Sequence, residues 1–333
     1  MARASRSPAA RVFRNVLARV AILDDYRNVA REMADWSVLD GRATLTVFTD
    51  HIADETALIE RLKPFEILCV MRERTPLTRR ILEQLPNLRL IASTGARNAS
   101  IDLAAAHERG IAVVHTGYVS SPTVELTWAL ILSGARDVVQ EANSIRTGGW
   151  QTSVGRDIEG TTLGVLGLGR IGSRVAEIAS AFGMHVIAWS EHLDENRAAA
   201  SGAKLVTREE LFRESDILSI HLVLGDRTRG LVGKRELALM KLSARLINTS
   251  RGPIVDEAAL IVALRERRIA GAALDVFDVE PLPADHPFRT LDNVLCMPHI
   301  GYVTRREYEI FYRDTVKNIA AWLDDPGLLH STR

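Results

Sequence analysis

Two cysteines in 333 residues, Cys69 and Cys296, supply no spacing from which a disulfide framework or a cysteine-based metal site could be built. No metal is expected. Both lie in apolar strand-like runs, EILCVM and NVLCMP, where a reduced cysteine serves as a small core residue, and that usage fits a reducing cytoplasm. Net charge is missing as well: 42 basic residues balance 42 acidic ones. No overall field draws the chain to nucleic acid or to an anionic membrane, so a ligand must be recognised locally. Long apolar runs are also absent. The longest, around LTWALIL (126–132), falls far short of the ~20 residues that a membrane helix needs, and a soluble protein is predicted. What is present, 47% hydrophobic and 25% charged residues, suits two domains of roughly 100 to 200 residues each.

Acidic residues are missing from the first 23 positions, which carry Arg3, Arg6, Arg11, Arg14 and Arg19. Some organelle transit peptides share this composition, but no regular amphipathic stripe or cleavage signal accompanies it. The preferred reading is a disordered extension over residues 1–18, with ordered structure starting near Arg19.

From RVAILDD onward, short β-branched runs alternate with helical patterns, the rhythm of a parallel sheet with covering helices. The turn after the first run, Leu23, Asp24, Asp25 and Tyr26, has no glycine. Two carboxylates there would repel a pyrophosphate, so this first α/β unit is not the nucleotide site. The stretch SPTVELTWALILSGARDVVQEANSIRTGGW reads as one long helix, with Ser121 as N-cap, Pro122 at its first position, and Gly148 and Gly149 as its stop. Such a length suggests a helix that spans two domains or packs on a second subunit. A second α/β series follows from TTLGVLG to NVLCMP, and a last helix, REYEIFYRDTVKNIAAWLDD, closes the pattern. Two α/β lobes are predicted.

The second series opens on VLGLGRIG, in which Gly167, Gly169 and Gly172 form G-x-G-x-x-G between a strand and a helix. In that context the first glycine permits the tight turn, the second lets the backbone approach a pyrophosphate, and the third lets the helix pack on the strand. An acid to bind the adenosine ribose is due at the end of HVIAWS. Ser190 stands there and Glu191 follows; no arginine is adjacent to take a 2′-phosphate. NAD is therefore favoured and NADP kept open.

Three later strands each run into a loop with one chemically capable residue: RLINTSRG delivers Arg251, GAALDVFDVEP delivers Glu280, and NVLCMPHIG delivers His299. Ligands in open α/β sheets bind outside the C-terminal strand ends, the edge that also holds the glycine loop. An arginine fork pairs two-fold with a carboxylate, a histidine moves a proton near neutral pH, and a carboxylate orients the imidazole. Together they suit hydride transfer to the carbonyl of a 2-oxo acid.

VLGLGRIG, NTSRGPIVDE, GAALDVFDVEP and MPHIG resemble, in order and in spacing, the signatures of the D-isomer-specific 2-hydroxyacid dehydrogenase family, and the resemblance covers nearly all of the chain from about Arg19. It implies an α/β fold of two doubly wound parallel-sheet lobes: a Rossmann cofactor domain, residues 119–303, inserted into a flavodoxin-like substrate domain, residues 19–118 and 304–333. It also implies NAD(P)-dependent interconversion of a small 2-oxo acid and a D-2-hydroxy acid by a homodimer. Arg251 would bind the substrate carboxylate and carbonyl, His299 would be the acid/base, and Glu280 would raise the basicity of His299. Asp275 would lie near the nicotinamide amide, Thr249, Arg170 and Ile171 would contact the cofactor largely through their backbone, and His221 would border it or serve structure alone.

The family's usual carboxylate-binding loop, G-x-G-x-D-N-I-D, appears here as GARNASID. Gly95 and Ala96 keep the loop's place, while Arg97 replaces a glycine that normally allows close approach. Two readings fit Arg97: recognition of a second anionic or polar group with Arg72 as companion, or a solvated arginine on a turn. Trp150 would either cover an active site, its own or that of a neighbouring subunit, or pack in a core. Hinges are expected near residues 117–121 and 299–304. The chain ends soon after its last helix, where some phosphoglycerate dehydrogenases carry regulatory extensions. A formate dehydrogenase is disfavoured because that branch lacks the glutamate at Glu280. A phosphite dehydrogenase, or a dinucleotide-sensing interaction protein of the corepressor type, keeps the same trio.

Overall fold

The computed structural model describes residues 17–326, and the expected N-terminal extension lies outside them up to residue 16. Among the described residues, no helix is long and apolar enough to cross a membrane. The chain divides into two compact units, one formed by the residues up to Tyr118 together with those from Arg305 onward, the other by Val119–Thr304.

The first unit opens with strand β1 (Ala18–Ile22), one residue ahead of Arg19, and continues through β2 (Ala43–Val47), α1 (Glu55–Leu62), β3 (Ile67–Val70), α2 (Arg79–Glu83), β4 (Leu90–Ser93), α3 (Leu103–Glu108) and β5 (Ala112–His115). The helices begin where the sequence offers an acceptor: Asp54, Thr78 and Asp102 each take an amide of the first turn. All pairings are parallel, in the order β2-β1-β3-β4-β5, which is the flavodoxin-like order. β3 and β4 are buried at every position, as strands covered on both faces should be. Leu68, Ile91, Leu62 and Leu82 lie in the core on one side.

The second unit starts with α4 (Ser121–Arg136) and α5 (Val138–Arg146). It then alternates β6 (Thr162–Leu166), α6 (Arg170–Ala181), β7 (His185–Trp189), α7 (Glu195–Ala200), β8 (Lys204–Leu205), α8 (Arg208–Glu214), β9 (Ile217–Ile220), α9 (Lys234–Leu239), β10 (Arg245–Asn248), α10 (Glu257–Arg265), β11 (Gly271–Leu274) and β12 (Val294–Cys296). Its seven parallel strands run β12-β11-β10-β9-β6-β7-β8. The order reverses between β6 and β9, so the switch point where open sheets bind their ligands falls at the end of β6. Separate apolar clusters cover the two faces, one around Phe212, Leu246 and Leu264, the other around Trp128, Val165 and Val175.

The final helix, α11 (Arg305–Asp324), returns to the first unit. Its Asn318 donates to the His115 carbonyl at 3.1 Å, its Asp314 accepts from Gly117 N at 2.9 Å, and Tyr312 packs on Trp36 at a ring separation of 6.2 Å.

Two expectations change. The long helix is broken at Asp137, whose φ of 49° lies in the left-handed region, and its N-cap is Ser120 rather than Ser121. No glycine or proline stands at the break, and Pro122 falls at the second helical position instead of the first. Trp150 does not pack in a core: it is 74% exposed, and its carbonyl accepts from the Ser144 hydroxyl. The cysteines are free: Cys69 is buried in β3, and burial pushes the Cys296 thiol up to about 11. Neither is a thiolate at neutral pH.

Candidate active site

Each glycine of the β6–α6 turn has a distinct physical duty. Gly167 has φ +103°, and a Cβ there would lie 2.7 Å from the His221 carbonyl oxygen. Gly172 packs so close to the turn that a Cβ would meet the Gly167 carbonyl oxygen at 2.1 Å. At Gly169 a Cβ would meet nothing within 4 Å. That open space lies at the start of α6, a helix of 12 residues with no side-chain cap at Gly169. A diphosphate fits there: the backbone is bare, Arg170 is exposed, Ile171 half-buried, and the helix N-terminus favours an anion.

Ser190, half-buried, follows β7, and Glu191 is exposed beside it. Arg227, from the loop after β9, approaches Glu191 at 3.4 Å, a neighbour the sequence did not announce because it comes from a different loop. His221 directly follows β9, with its Nε2 2.9 Å from the hydroxyl of Ser219, itself fully buried. Burial pushes His221 down to about 4, so the ring is neutral at physiological pH and adds no charge beside the glycine turn. Thr249, nearly buried, shares a hydroxyl hydrogen bond of 2.9 Å with Thr127 of α4.

β10, β11 and β12 are adjacent and parallel, so the loops after them leave the sheet on one edge. Asn248, at the end of β10, donates to the Arg251 carbonyl at 3.0 Å and accepts from Ser250 N at 3.0 Å, which fixes the turn that carries Arg251. Gly252 then presses against the next loop: a Cβ would sit 2.1 Å from the Phe277 carbonyl carbon. On that loop Glu280 Oε1 accepts from Phe277 N at 2.9 Å, and Oε2 lies 2.6 Å from His299 Nδ1. The structure thus joins Glu280 to His299 directly and sets Arg251 on the adjoining loop. Asn248 and Gly252 are supports that sequence reading missed; their signal was the NTSRG run itself.

His299 has φ +51°, an uncommon conformation for a side chain of this kind. Asp275 holds it there. This carboxylate, fully buried, accepts from Ile300 N and Gly301 N at 2.8 Å each, and Thr123 donates to the Gly301 carbonyl at 3.1 Å. Burial pushes Asp275 up to about 6, although the two amides and the His299 ring favour its ion. Both of its oxygens are therefore engaged by the loop that carries His299.

The remaining expected site residues belong to the first unit. Arg72 is half-buried with φ +53°, and its Nη1 donates to the Thr94 carbonyl at 3.3 Å. Gly95 has φ +81°, and a Cβ there would collide with Arg72 Nη1 at 1.6 Å. Ala96 and Arg97 are exposed on the same turn.

A family model described as the NAD-binding domain of D-isomer specific 2-hydroxyacid dehydrogenases matches residues 128–301, just over half of the chain. The chain is 47% identical over 235 residues to a glyoxylate reductase of Aeropyrum pernix, covering 68% of this chain and 70% of that one. Among solved structures, a phosphoglycerate oxidoreductase from Vibrio cholerae superposes with a TM-score of 0.89 at 39% identity, over 92% of this chain and 99% of that chain. A D-lactate dehydrogenase from Aquifex aeolicus, solved with NAD and lactic acid, gives a TM-score of 0.75 at 29% identity, over 92% and 95% of the two chains.

Proposed function

The chain belongs to the D-isomer-specific 2-hydroxyacid dehydrogenase family, and from that premise we propose how its residues divide the work. It is an NAD(P)-dependent oxidoreductase that interconverts 2-oxo acids and D-2-hydroxy acids. Bound nicotinamide supplies or receives the hydride. The amides of Arg170 and Ile171 and the bare backbone at Gly169 hold the diphosphate, Glu191 takes the adenosine ribose, and Thr249, His221 and Asp275 border the nicotinamide side. Arg251 pairs with the substrate carboxylate and polarises the carbonyl. His299 delivers the proton to the carbonyl oxygen and retrieves it in the reverse direction.

The observation that carries this reading is the 2.6 Å contact between His299 Nδ1 and Glu280. With Nδ1 donating to a carboxylate, Nε2 is the nitrogen left for the substrate, and Glu280 orients the ring. In the first unit, Gly95, Ala96, Arg97 and Arg72 contribute to substrate recognition. Glyoxylate and hydroxypyruvate are the first substrates to try. A panel of 2-oxo acids scored by NADH and NADPH oxidation, with phosphite and NAD as a separate arm, tests the assignment. Turnover of 2-oxo acids with NADH preferred is expected; turnover of none, or of phosphite alone, overturns it. Preference for NADPH would instead remove Glu191 from its role and assign the ribose site to Arg227.

We also propose a homodimer built on the α4–α5 arm. No residue of α5 is buried within the chain, yet Val138, Val139, Ile145, Trp150 and Val154 are exposed on the arm and just beyond it. A second copy of the chain is the occupant this surface fits, because an apolar face of that extent is rarely left to solvent. Light scattering should give twice the chain mass, and Val139→Asp with Ile145→Asp should halve it. A monomeric wild type overturns the proposal. The free thiols suit a reducing compartment, and the cytoplasm is assigned on that basis.

A further inference from the structure

The turn after β4 is built differently from a plain carboxylate loop. At Gly95 the guanidinium of Arg72 lies in the space a Cβ would take. The turn is rigidly braced: Gly95 N donates to Thr116 Oγ1 at 2.8 Å, Arg72 N to Thr94 Oγ1 at 2.8 Å, and the buried Asn98 donates to the Arg72 carbonyl at 2.5 Å and to Ser93 Oγ at 3.1 Å. What the bracing leaves unused is specific. The amides of Ala96 and Arg97 and the Arg97 guanidinium make no hydrogen bond or ion pair among the described residues.

The neighbouring charges divide in the same way. Arg74 is committed to the fold, donating to the Asp24 carbonyl at 2.7 Å and lying 4.4 Å from the Tyr26 ring centroid. Arg72 has Glu73 at 3.7 Å. Among the described residues, no carboxylate forms an ion pair with Arg97. His115, at the end of β5, is held below its ordinary value mainly by burial, with the Gly95 backbone opposing and the Arg72 charge adding to the shift, so this ring adds no positive charge of its own. Two consecutive open amides on a turn that carries Arg97, with Arg72 seated on Gly95, can take one anion on the backbone and leave an arginine fork for another.

We propose that this turn selects 2-oxo acids bearing a second anionic group, carboxylate or phosphate, with the Ala96 and Arg97 amides joining Arg251 on the 2-oxo carboxylate and the Arg97 guanidinium taking the second anion. The proposal rests on the dehydrogenase reading above and narrows its substrate class. Arg97 is the specificity-determining side chain, and Arg72, seated on Gly95, adds its positive field.

Matched pairs test it: hydroxypyruvate against its 3-phosphate, and 2-oxobutanoate against oxaloacetate, each scored as kcat/KM by NADH oxidation. Wild type should favour the dianion in at least one pair, and which pair identifies phosphate or carboxylate as the second group. A charge-assisted hydrogen bond lost in Arg97→Ala should lower the dianion-to-monoanion ratio by about 10- to 100-fold, with Arg97→Lys restoring part of it. Binding of the protein to NADH, followed by fluorescence, verifies that the variants fold. A ratio that Arg97→Ala leaves unchanged, or a wild type that prefers the monoanion in both pairs, overturns the proposal while leaving the dehydrogenase reading intact. Absence of turnover on all four compounds overturns that reading instead.

Discussion

Replacing His299 with alanine is expected to slow reduction of a 2-oxo acid by about 10²- to 10⁴-fold, the contribution typical of a positioned general acid. The size follows from how completely the surroundings are arranged for this one ring. Glu280 is tied at one oxygen to the Phe277 amide and at the other to His299 Nδ1, so its carboxylate has a fixed direction before any substrate arrives. Tyr302 meets the imidazole edge-on at a centroid distance of 5.4 Å and limits its tilt. An alanine removes the proton source while leaving the glycine turn untouched, so affinity for NADH should change little. Single-turnover oxidation of NADH separates the two effects. A loss below tenfold in the chemical step would strip His299 of its role, and a large loss of NADH affinity would mean that the ring serves the cofactor instead. Glu280→Gln keeps the shape and removes the charge. It should slow the same step by less than His299→Ala does, because the ring remains present but less well oriented.

Much of this centre was legible because it is written in local chemistry. A G-x-G-x-x-G run between strand and helix has few physical meanings, and the structure gives each glycine the constraint its position requires: a positive φ at Gly167, open space at Gly169, and backbone contact at Gly172. Residues at the ends of successive parallel strands share an edge by construction, which is why Glu280 and His299 were predictable neighbours. What was not legible came from loops meeting loops. Arg227 reaches Glu191 through tertiary placement that leaves no periodic trace. Asp137 breaks the long helix within a pattern that reads as continuous, since an aspartate can enter the left-handed region without a glycine to announce it. The seat that Gly95 gives the Arg72 guanidinium left no trace either, because Arg72 comes from a different loop.

Asp275 sets the position of His299 at the expense of stability, and Asp275→Asn should expose both sides of that exchange. An asparagine has one acceptor oxygen, so one of the Ile300 and Gly301 amides would face an amide nitrogen instead of a carboxylate. A shift of about 1 Å in a reacting group is worth about 10²-fold in rate, and kcat should fall by about that factor. Stability moves differently with pH. Burial raises the Asp275 carboxyl from its ordinary 3.8 to about 6, so between those values the native state holds a proton that the unfolded chain has released. The folded state therefore loses stability as pH rises through that window, by up to ~3 kcal/mol once both forms are ionised. Asparagine has no such titration. The thermal midpoint of wild type relative to Asp275→Asn should accordingly rise as the pH is lowered from 7 to 4, and calorimetry at several pH values would measure it. A difference independent of pH, or one that moves the opposite way, would mean that Asp275 is ionised without penalty in the fold. A kcat unchanged in the variant would mean that the loop holds His299 without its help. If both expectations are met, the energy withheld from folding at neutral pH is what keeps the left-handed turn at His299 in place, since two amides held by a buried ion cannot be released cheaply to water.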